Sequence, residues 1–551
     1  MAAAAGLGAR AKSYLAGVGA LAVLGGIGLP AAAFLARRRR GVPSNVVLHL
    51  DMRVPIVERQ RDGEAAALLM SAISGERQPL ALRAIVRALE TAATDKRVKG
   101  VVCSFGDTSP SLAVSQELGN AVLAFRNAQK EEPAGARRFA WVTTDTFGEA
   151  GHAVGMQQFH LAAHFDQVFM QPSGMIGLTG VHNQTFFFKR LLAKVGIEPQ
   201  FFQYFEYKNA PNQFTETGFT DAHRFQSELL ANSMFDQLVS SIAQLRGTTV
   251  EHIRECVSKA PLNAREALSE GLIDSVLYPD QVLSMANVSS LAAPRDTLGS
   301  GTDARSAHAE CTVMSLQKYI NLTQKQQDAA LAKTKSKIAL LHMTGNIVRG
   351  RGQPNSRTEE CAAQSVARAI SATCKDPSVK GLVVRLDSRG GSAVASDSIR
   401  RELERAKDMG LPIVVSMGSF AASGGYYIAT AADKIVAQPG TITGSIGAFI
   451  GVVSLQQLFE RVGISVGEVA VGQDPISVAR PLSATQKEKL DKAGRQVYDD
   501  FVALVAKARK LSAAEVDAVA RGRVWTGAHA KTLGLVDELG GIEEAHDLKA
   551  Q

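Results

Sequence analysis

The chain has 551 residues, which is too long for one ordinary hydrophobic core, so two or more domains are expected. Its composition, 46% hydrophobic and 21% charged, is that of a globular protein. The net charge is +8, but six of the 61 basic residues lie in the first 40 positions, which leaves 55 basic against 53 acidic residues elsewhere. A nearly neutral body gives no basic face for nucleic acid, and none is expected as a partner.

The N-terminal segment is free of acidic residues and contains a long uncharged stretch. Tyr14 to Ala36 has no charged residue and is followed by four consecutive arginines. A helix of this length, at about 1.5 Å per residue, spans the roughly 30 Å of a bilayer core. We therefore predict a targeting and anchor segment at 1–45 with a transmembrane helix at about 14–36. A cleaved organellar presequence is the alternative, since the segment is rich in Ala and contains Arg.

An internal repeat organises the rest of the chain. TDKRVKGVV (94–102) resembles KDPSVKGLVV (375–384), and HFDQVFMQPSGMIGLTG (164–180) aligns with AADKIVAQPGTITGSIG (431–447) at an offset of 267 positions. FFKRLLAKVGI and LQQLFERVGIS form a third match in the same order. Three matches in one order indicate a duplication.

The repeat sets the predicted domain boundaries. The two copies are expected at 46–285 and 336–551, with a linker rich in Ser, Ala, Gly and Thr at 286–335. Within each copy, short apolar strands alternate with helical patterns. This alternation predicts βαβ units around a largely parallel sheet, and hence an α/β fold.

The chain has five cysteines, with no C-x-x-C pair and no metal-ligand spacing. A sparse, odd number argues against a disulfide framework. We expect buried, unpaired cysteines, no metal site and no cofactor. The five are Cys103, Cys256, Cys311, Cys361 and Cys374.

A serine and two glycine pairs follow strand ends in the second repeat. Ser423 precedes Gly424-Gly425 in SFAASGGYYIA, and LDSRGGS places Gly390-Gly391 after a neighbouring strand. A nucleophilic hydroxyl needs a tight turn and backbone N–H groups aimed at the developing oxyanion, and glycine lets the substrate carbonyl approach closely. The helix N-terminus adds a favourable partial positive charge. Each pair alone is typical of an ordinary turn, but together they predict a catalytic site.

The first repeat lacks these features. At the offset of 267, Met156 stands where Ser423 stands and Gln157 stands where Gly424 stands, and the sequence TSPS replaces the other glycine pair. The scaffold glycines are present in both copies, whereas the Ser-Gly-Gly element is present in one. This asymmetry indicates that one copy carries the nucleophile.

The base is less clearly marked. There is no G-x-S-x-G motif, and His529 lies in what looks like a helix start, so a Ser/His/Asp triad is disfavoured but stays open. A buried lysine is the alternative, and Lys208 in FEYKNAPNQFT is the candidate. A strand through this segment would point Glu206 and Lys208 to one face. We therefore predict that the strand has ended by Tyr207 and that Glu206 points away from the lysine.

Several segments together resemble the signal peptide peptidase A (protease IV) family, in its long, duplicated form. These are SFAASGGYYIA, LDSRGGS, PGTITGSIG, the EYKNA block and the tail RGRVWTGAHAKTLGLVDELGG. The resemblance covers about 45–551 and implies tandem ClpP/crotonase-like domains.

The resemblance also implies roles for individual residues. Ser423 would be the nucleophile and Lys208 the base of a Ser/Lys dyad, with one residue from each repeat. Gly424 with the Gly390-Gly391 turn would supply the oxyanion hole, and Ser445 would orient the lysine. The family further implies a bowl-shaped homo-oligomer, such as a tetramer, that degrades signal-peptide remnants and small membrane-derived peptides.

Two features depart from the family. Arg389 replaces a proline before the glycine pair, which predicts a looser turn or a contact with substrate. The four arginines after the predicted anchor would keep the body on the cytosolic or matrix side, and an organellar (mitochondrial) inner membrane is therefore favoured over a bacterial inner membrane.

Two other classes of protein remain as alternatives. A crotonase-type acyl-CoA enzyme would use the glycine turns to hold a thioester oxyanion. A non-catalytic membrane scaffold would keep the fold without the chemistry. The presence of Ser423, Lys208 and Ser445 argues against the scaffold.

Overall fold

The computed structural model describes residues 41–59, 79–128, 138–149, 155–288, 311–353, 358–472 and 475–550. The transmembrane helix predicted at about 14–36 lies outside these residues. Across the described ranges, none of the helices combines the length and the hydropathy that a membrane span requires.

The first half is built on a six-stranded parallel sheet with the order β10-β6-β5-β4-β1-β11. Its strands are β1 (Val46–Met52), β2 (Ile56–Val57), β3 (Leu80–Ala81), β4 (Val98–Phe105), β5 (Phe139–Thr144), β6 (Gln167–Met170), β7 (Met175–Ile176), β8 (Glu198–Tyr204), β9 (Leu262–Asn263), β10 (Ser275–Val276) and β11 (Thr312–Ser315). Its helices are α1 (Leu82–Thr94), α2 (Leu112–Asn127), α3 (Gly155–Ala162), α4 (Lys189–Val195), α5 (Asn212–Thr215), α6 (Asp221–Arg246), α7 (Val250–Lys259), α8 (Ala264–Ser269), α9 (Pro279–Val288) and α10 (Leu316–Lys333).

The second half repeats this plan, with a sheet in the order β12-β15-β16-β17-β21, while β18 pairs with β16 and β20. Its strands are β12 (Lys337–Thr344), β13 (Asn346–Val348), β14 (Glu360–Ala362), β15 (Val379–Ser388), β16 (Ile413–Ala422), β17 (Lys434–Ala437), β18 (Ile442–Gly444), β19 (Ala448–Ser454), β20 (Val524–Thr526) and β21 (Glu538–Leu539). Its helices are α11 (Ala363–Lys375), α12 (Ala393–Asp408), α13 (Gly424–Ala429), α14 (Gln456–Val462), α15 (Ala484–Arg509), α16 (Ala513–Val519), α17 (Gly527–Thr532) and α18 (Ile542–Ala550).

Corresponding helices in the two halves begin and end at residues of the same type. Ser111 and Ser392 cap α2 and α12 by accepting from a backbone N–H in the first turn. Gly196 and Gly463, at the offset of 267, end α4 and α14 with φ of 85° and 77°. The sheet order β6-β5-β4-β1 corresponds to β17-β16-β15-β12. The predicted α/β fold and its duplication are confirmed.

The predicted linker at 286–335 is too long. β11 pairs in parallel with β1, and the next helix, α10, buries Leu316 and Tyr319 in the core of the first half. Although α10 is mostly polar in composition, its few apolar side chains lie on one face and pack into the core of the first domain. The first half therefore continues to Lys333, and 289–310 lies outside the described residues.

The halves are joined by a shared two-stranded antiparallel sheet. β8 of the first half pairs with β19 of the second along its whole length, from Tyr204 opposite Ala448 to Glu198 opposite Ser454. A buried ion network adds to this contact, since Arg385 of β15 binds both Glu58 and Glu117 of the first half. The end of β8 is therefore held beside the second half's sheet.

The cysteines follow the prediction. All five are free, and all are buried except Cys374, which is half-buried.

Candidate active site

Ser423 occupies the sharp turn between a strand and a helix. β16 ends at Ala422 and α13 begins at Gly424. Ser423 has φ 55° and ψ −120°, in a region that residues other than glycine rarely adopt and that concentrates at functional sites. Its backbone N–H donates to the Gly444 carbonyl at 2.8 Å. The turn therefore presents a hydroxyl at the N-terminus of a helix without a G-x-S-x-G motif.

Lys208 reaches this serine from the other half of the chain. Its Nζ lies 3.1 Å from Ser423 Oγ and 2.8 Å from both the Oγ and the backbone oxygen of Ser445. The predicted contacts of the lysine with both serines are therefore present. His529 lies in α17, where the sequence predicted a helix start, and its ring packs edge-on against Trp525.

The environment of Lys208 favours a neutral amine. The residue is only 4% exposed, and burial lowers its pKa to about 7 without a contribution from any carboxylate. β8 ends at Tyr204, and the Glu206 carboxylate pairs with the Arg521 guanidinium at 3.0 Å. The prediction that Glu206 would point away from the lysine is confirmed. A salt bridge that would keep the lysine protonated is thus avoided.

The lysine loop rests on residues 521–523 of the second half. The N–H of Tyr207 donates to the Arg521 carbonyl at 3.3 Å, and the N–H of Ser445 donates to the Arg523 carbonyl at 2.6 Å. Gly522 lies between them, where an added Cβ would come within 2.3 Å of the Lys208 backbone nitrogen. Sequence reasoning gave this RGR stretch no role, although it opens the tail that carries the family resemblance.

The two glycine pairs lie against each other beside Ser423. A Cβ on Gly390 would come within 2.8 Å of the Ser423 Cβ, and one on Gly424 would come within 3.3 Å of the Gly391 nitrogen. The N–H of Gly390 already donates to Ser388 Oγ at 3.1 Å. For the N–H of Gly391, no acceptor is found in the described ranges.

Gly424 is the first residue of α13, so its N–H has no intrahelical acceptor. The available donors are therefore those of Gly391 and Gly424. Gly390, which was also predicted as a donor, instead gives the turn its φ of 110°.

Arg389, which replaces the family's proline, lies in a turn that is held by side-chain hydrogen bonds. Ser388 Oγ donates to the Gly345 carbonyl at 2.7 Å and accepts from the N–H of Gly390, which ties the turn to β12 and β15. The Arg389 guanidinium lies 4.2 Å from the ring centroid of Phe420. The Arg389 side chain therefore makes a cation–π contact within the chain.

The equivalent place in the first half is filled with apolar side chains. Met156, the counterpart of Ser423, is fully buried. Leu178, at the offset of 267 from Ser445, is also fully buried in the same core cluster. The chain therefore builds one polar site from two related scaffolds.

Comparison with solved structures gives low overall similarity scores. A ClpP1 mutant from Listeria monocytogenes is similar with a TM-score of 0.25 and 17% identity, over 41% of this chain and 98% of that chain. A mutant of the membrane-bound stomatin-specific protease 1510-N has a TM-score of 0.24 and 16% identity, over 38% of this chain and 83% of that chain.

Comparison with other sequences identifies a family. Protease 4 of Haemophilus influenzae is 29% identical over 486 residues, covering 86% of this chain and 74% of that protein. Protease 4 of Salmonella typhi is 29% identical over 515 residues, covering 90% and 77%. Serine protease SPPA, chloroplastic, of Arabidopsis thaliana is 27% identical over 394 residues, covering 71% and 56%.

The profile of Peptidase family S49 matches residues 151–291 and 405–551, one region in each repeat, which together exceed half of the chain. This chain therefore belongs to peptidase family S49 and is a serine-type peptidase.

Proposed function

We propose that the chain is a serine endopeptidase in which Ser423 is the nucleophile and Lys208 the general base. The contact of 3.1 Å between Lys208 Nζ and Ser423 Oγ, in a site where burial lowers the lysine pKa to about 7, carries the proposal. A neutral lysine has two N–H groups and one lone pair. The two N–H groups donate to Ser445 Oγ and the Ser445 carbonyl, which leaves the lone pair to accept the Ser423 hydroxyl proton.

The proposed reaction follows from this arrangement. Ser423 Oγ attacks the peptide carbonyl while Lys208 takes its proton. The N–H groups of Gly391 and Gly424 stabilise the negative charge on the carbonyl oxygen. Lys208 then gives the proton to the leaving amine, and it activates the water that hydrolyses the acyl-enzyme.

The experiment is peptide hydrolysis and labelling with a fluorophosphonate probe, using residues 41–551. Ser423→Ala should abolish both, because it removes the hydroxyl that is proposed to form the acyl-enzyme. Ser419→Ala is the matched control, since Ser419 lies on the same strand and bonds to Ser111 instead of to Lys208. Retention of activity within tenfold in Ser423→Ala would remove Ser423 from the mechanism. An acyl-CoA enzyme would not be labelled in either form.

For substrates, we propose cleaved signal peptides and other short hydrophobic peptides. β19 begins three residues after Ser445, and its outer side chains Phe449 and Val453 are exposed. This apolar strand surface suits an extended hydrophobic peptide, and the resemblance to signal peptide peptidase A gives the same substrate class. Phe449→Asp should raise KM for hydrophobic peptides more than it lowers kcat, because it changes binding and leaves the dyad untouched. An unchanged KM would exclude β19 from substrate binding.

We also propose self-association through two segments that correspond in sequence to β8 and β19 but pair with no strand among the described residues. At the offset of 267, 465–471 corresponds to β8 and 181–187 to β19. Unlike β8 and β19, neither segment forms a β-ladder within the described residues. The side chains of Val469 and Val471 are almost fully exposed, and Phe186 is 69% exposed. Pairing 465–471 of one copy with 181–187 of the next repeats the β8–β19 contact head to tail, and such contacts form a ring when the rotation between copies closes.

Light scattering of residues 41–551 tests this association. Val469→Lys with Val471→Lys should lower the molar mass to that of one chain, because the lysines disrupt an apolar strand contact. Val394→Lys changes an exposed valine on α12 and should leave the mass unchanged. A monomeric wild-type protein, or an oligomer that survives both lysines, would contradict the proposed contact.

For the membrane, we propose that 14–36 anchors the chain and that the body lies on the cytosolic or matrix side of an inner membrane, with the mitochondrial one favoured. Full-length protein should sediment with membranes, and residues 41–551 should not. Digestion of the body from the opposite side of intact organelles would contradict the proposed orientation.

A further inference from the structure

Three side chains of different chemistry converge in the first half, where α7 meets the end of α8. His252 and Cys256 lie one turn apart on α7, and Glu270 follows α8. His252 Nε2 lies 3.8 Å from Cys256 Sγ and 3.6 Å from Glu270 Oε2, and Cys256 Sγ lies 3.9 Å from Glu270 Oε2. Within the described residues, this is the one group of three such side chains whose ligand atoms all face one another.

The spacing of these atoms fits three corners of a tetrahedron around a metal ion. Bonds from zinc to sulfur of about 2.3 Å and to nitrogen or oxygen of about 2.0 Å place tetrahedral ligands roughly 3.3–3.6 Å apart. The observed distances of 3.6 to 3.9 Å exceed this by a few tenths of an ångström. Small side-chain rotations would close the set, with water as the fourth ligand.

The surroundings orient the carboxylate and balance the charge. Lys259 Nζ holds Glu270 Oε1 at 2.9 Å, which leaves Oε2 directed at the histidine and the cysteine. A thiolate and a carboxylate together neutralise a divalent cation. His252 Nε2 also lies 3.0 Å from the Glu270 carbonyl oxygen, a contact that this nitrogen gives up when it binds the ion. The side chains of His252 and Glu270 are 28% and 23% exposed, so the ion can enter from solvent.

The second repeat shows that the fold does not require this set. Arg246 pairs with Asp274 in the first half as Arg509 pairs with Asp537 in the second, which fixes a local offset of 263 positions. At that offset the counterparts of His252, Cys256 and Glu270 are Glu515, Val519 and Leu533. Val519 and Leu533 pack against the apolar core of their half. The first half therefore has three potential ligands where its sister has an apolar contact.

We propose that His252, Cys256 and Glu270 bind a divalent cation of the zinc type, at a site separate from the dyad. Imidazole, thiolate and carboxylate together favour Zn²⁺ over the harder Mg²⁺ and Ca²⁺. The bound ion joins α7 to the end of α8 and stabilises the first half. Cysteine spacing alone could not reveal this site, because a single cysteine takes part and Glu270 joins it only in the folded chain.

The test uses the chelator-treated full-length protein with Co²⁺ as a probe, since a thiolate bound to Co²⁺ gives a near-ultraviolet charge-transfer band. Wild type should bind one Co²⁺ per chain with this band, lose it on addition of Zn²⁺, and gain several degrees in Tm with Zn²⁺. Cys256→Ser should lose the band, whereas Cys374→Ser, which changes a cysteine outside the site, should keep it.

A second variant covers the case in which Cys256→Ser fails to fold. The combination His252→Glu, Cys256→Val and Glu270→Leu installs the residues of the second repeat and should keep the circular dichroism of wild type while losing the Co²⁺ band. The same band in this variant as in wild type, or its absence from folded wild type with excess Co²⁺, would overturn the proposal. Neither outcome depends on peptidase activity, so the proposed dyad is tested separately.

Discussion

The two repeats share a scaffold but differ at the place where the proposed chemistry lies. Both halves end their equivalent helices α4 and α14 at a glycine with positive φ, and both hold an Arg–Asp pair next to an edge strand of the sheet, β10 or β21. The second half then presents Ser423 and Ser445 where the first buries Met156 and Leu178. The two repeats therefore share a backbone fold but differ in the side chains at this place.

The first half contributes in a different way, through the loop after β8. This loop carries Lys208 into the second half, whereas at the offset of 267 the second half has Pro475. A site within one repeat would be incomplete in either copy. The comparison shows that two copies of one scaffold can carry different reactive groups. Five experiments test this difference between the repeats.

The largest effect is expected when the first half's contribution is removed. Lys208→Ala should lower kcat/KM by about 10³-fold or more, since the nucleophile loses its base. Lys208→Arg should be equally inactive, because guanidinium stays protonated at any working pH. Peptide hydrolysis measures both, with circular dichroism as the control for folding. An active Lys208→Arg enzyme would end the dyad proposal.

The pH profile sharpens the same point. With a pKa of about 7, Lys208 is neutral above that pH and protonated below it. Since the neutral form is the base, kcat/KM should rise about tenfold per pH unit up to about 7 and then level off, a loss of about 100-fold at pH 5. A profile that is flat from pH 5 to 8 would exclude this lysine as the titrating group.

Gly522→Ala tests whether the second half must fit closely around the lysine loop. The new Cβ would press on the Lys208 backbone, and activity should fall by about 10- to 100-fold because the lysine is displaced. Gly534→Ala is the matched control. Its φ is also positive, 73° against 88°, but nothing lies within 4 Å of its added Cβ. Equal losses in both variants would trace the effect to backbone strain and not to the lysine.

Lys208→Met should stabilise the protein, because the wild type buries an amine. The folded pKa lies below the unfolded value of about 10.4, so the penalty is complete below pH 7 and decreases by about 1.4 kcal/mol per unit as the pH rises toward 10.4. The gain in Tm over wild type should therefore be larger at pH 6 than at pH 9. A gain that is the same at both values would contradict a depressed lysine pKa.

The smallest effect is expected from Met156→Ser, which restores a serine to the first half. The site there also lacks a lysine and has Leu178 in place of Ser445, so the variant combined with Ser423→Ala should show no activity. Loss of a fully buried side chain should lower the free energy of unfolding by roughly 2–4 kcal/mol, measurable by urea titration. Activity in this double variant would show that the first half kept more of the site than its side chains indicate.

The duplicated fold and the position of the nucleophile could be predicted from the sequence, because both depend on local sequence patterns. The glycine offsets predicted the duplication and Ser-Gly-Gly indicated Ser423, whereas the contacts of Lys208 with Ser423 and Ser445 were implied by the resemblance to the family. The turn at Ser423 could be predicted because an apolar strand pattern ends and a helix pattern begins on either side of it. These features depend on residue type and spacing within short segments.

Other features depend on contacts between distant segments. α10 looked like a linker because its composition is polar, although Leu316 and Tyr319 form a buried face. The support from 521–523 is made by backbone carbonyls, which any sequence has. The sequence alone does not distinguish the roles of Gly390 and Gly391. The folded structure does, because the Gly390 N–H donates to Ser388 Oγ and is not available to substrate.

The position of Arg523 has a consequence for protein synthesis. Lys208 and Ser423 are 215 positions apart, and the lysine loop and Ser445 both rest on residues 521–523, which are synthesised well after Ser423. A nascent chain that has already exposed both proposed reactive groups still lacks the support that holds Ser445 and the lysine loop in place. On the proposed mechanism the order of synthesis therefore delays the assembly of the site until residues 521–523 have emerged.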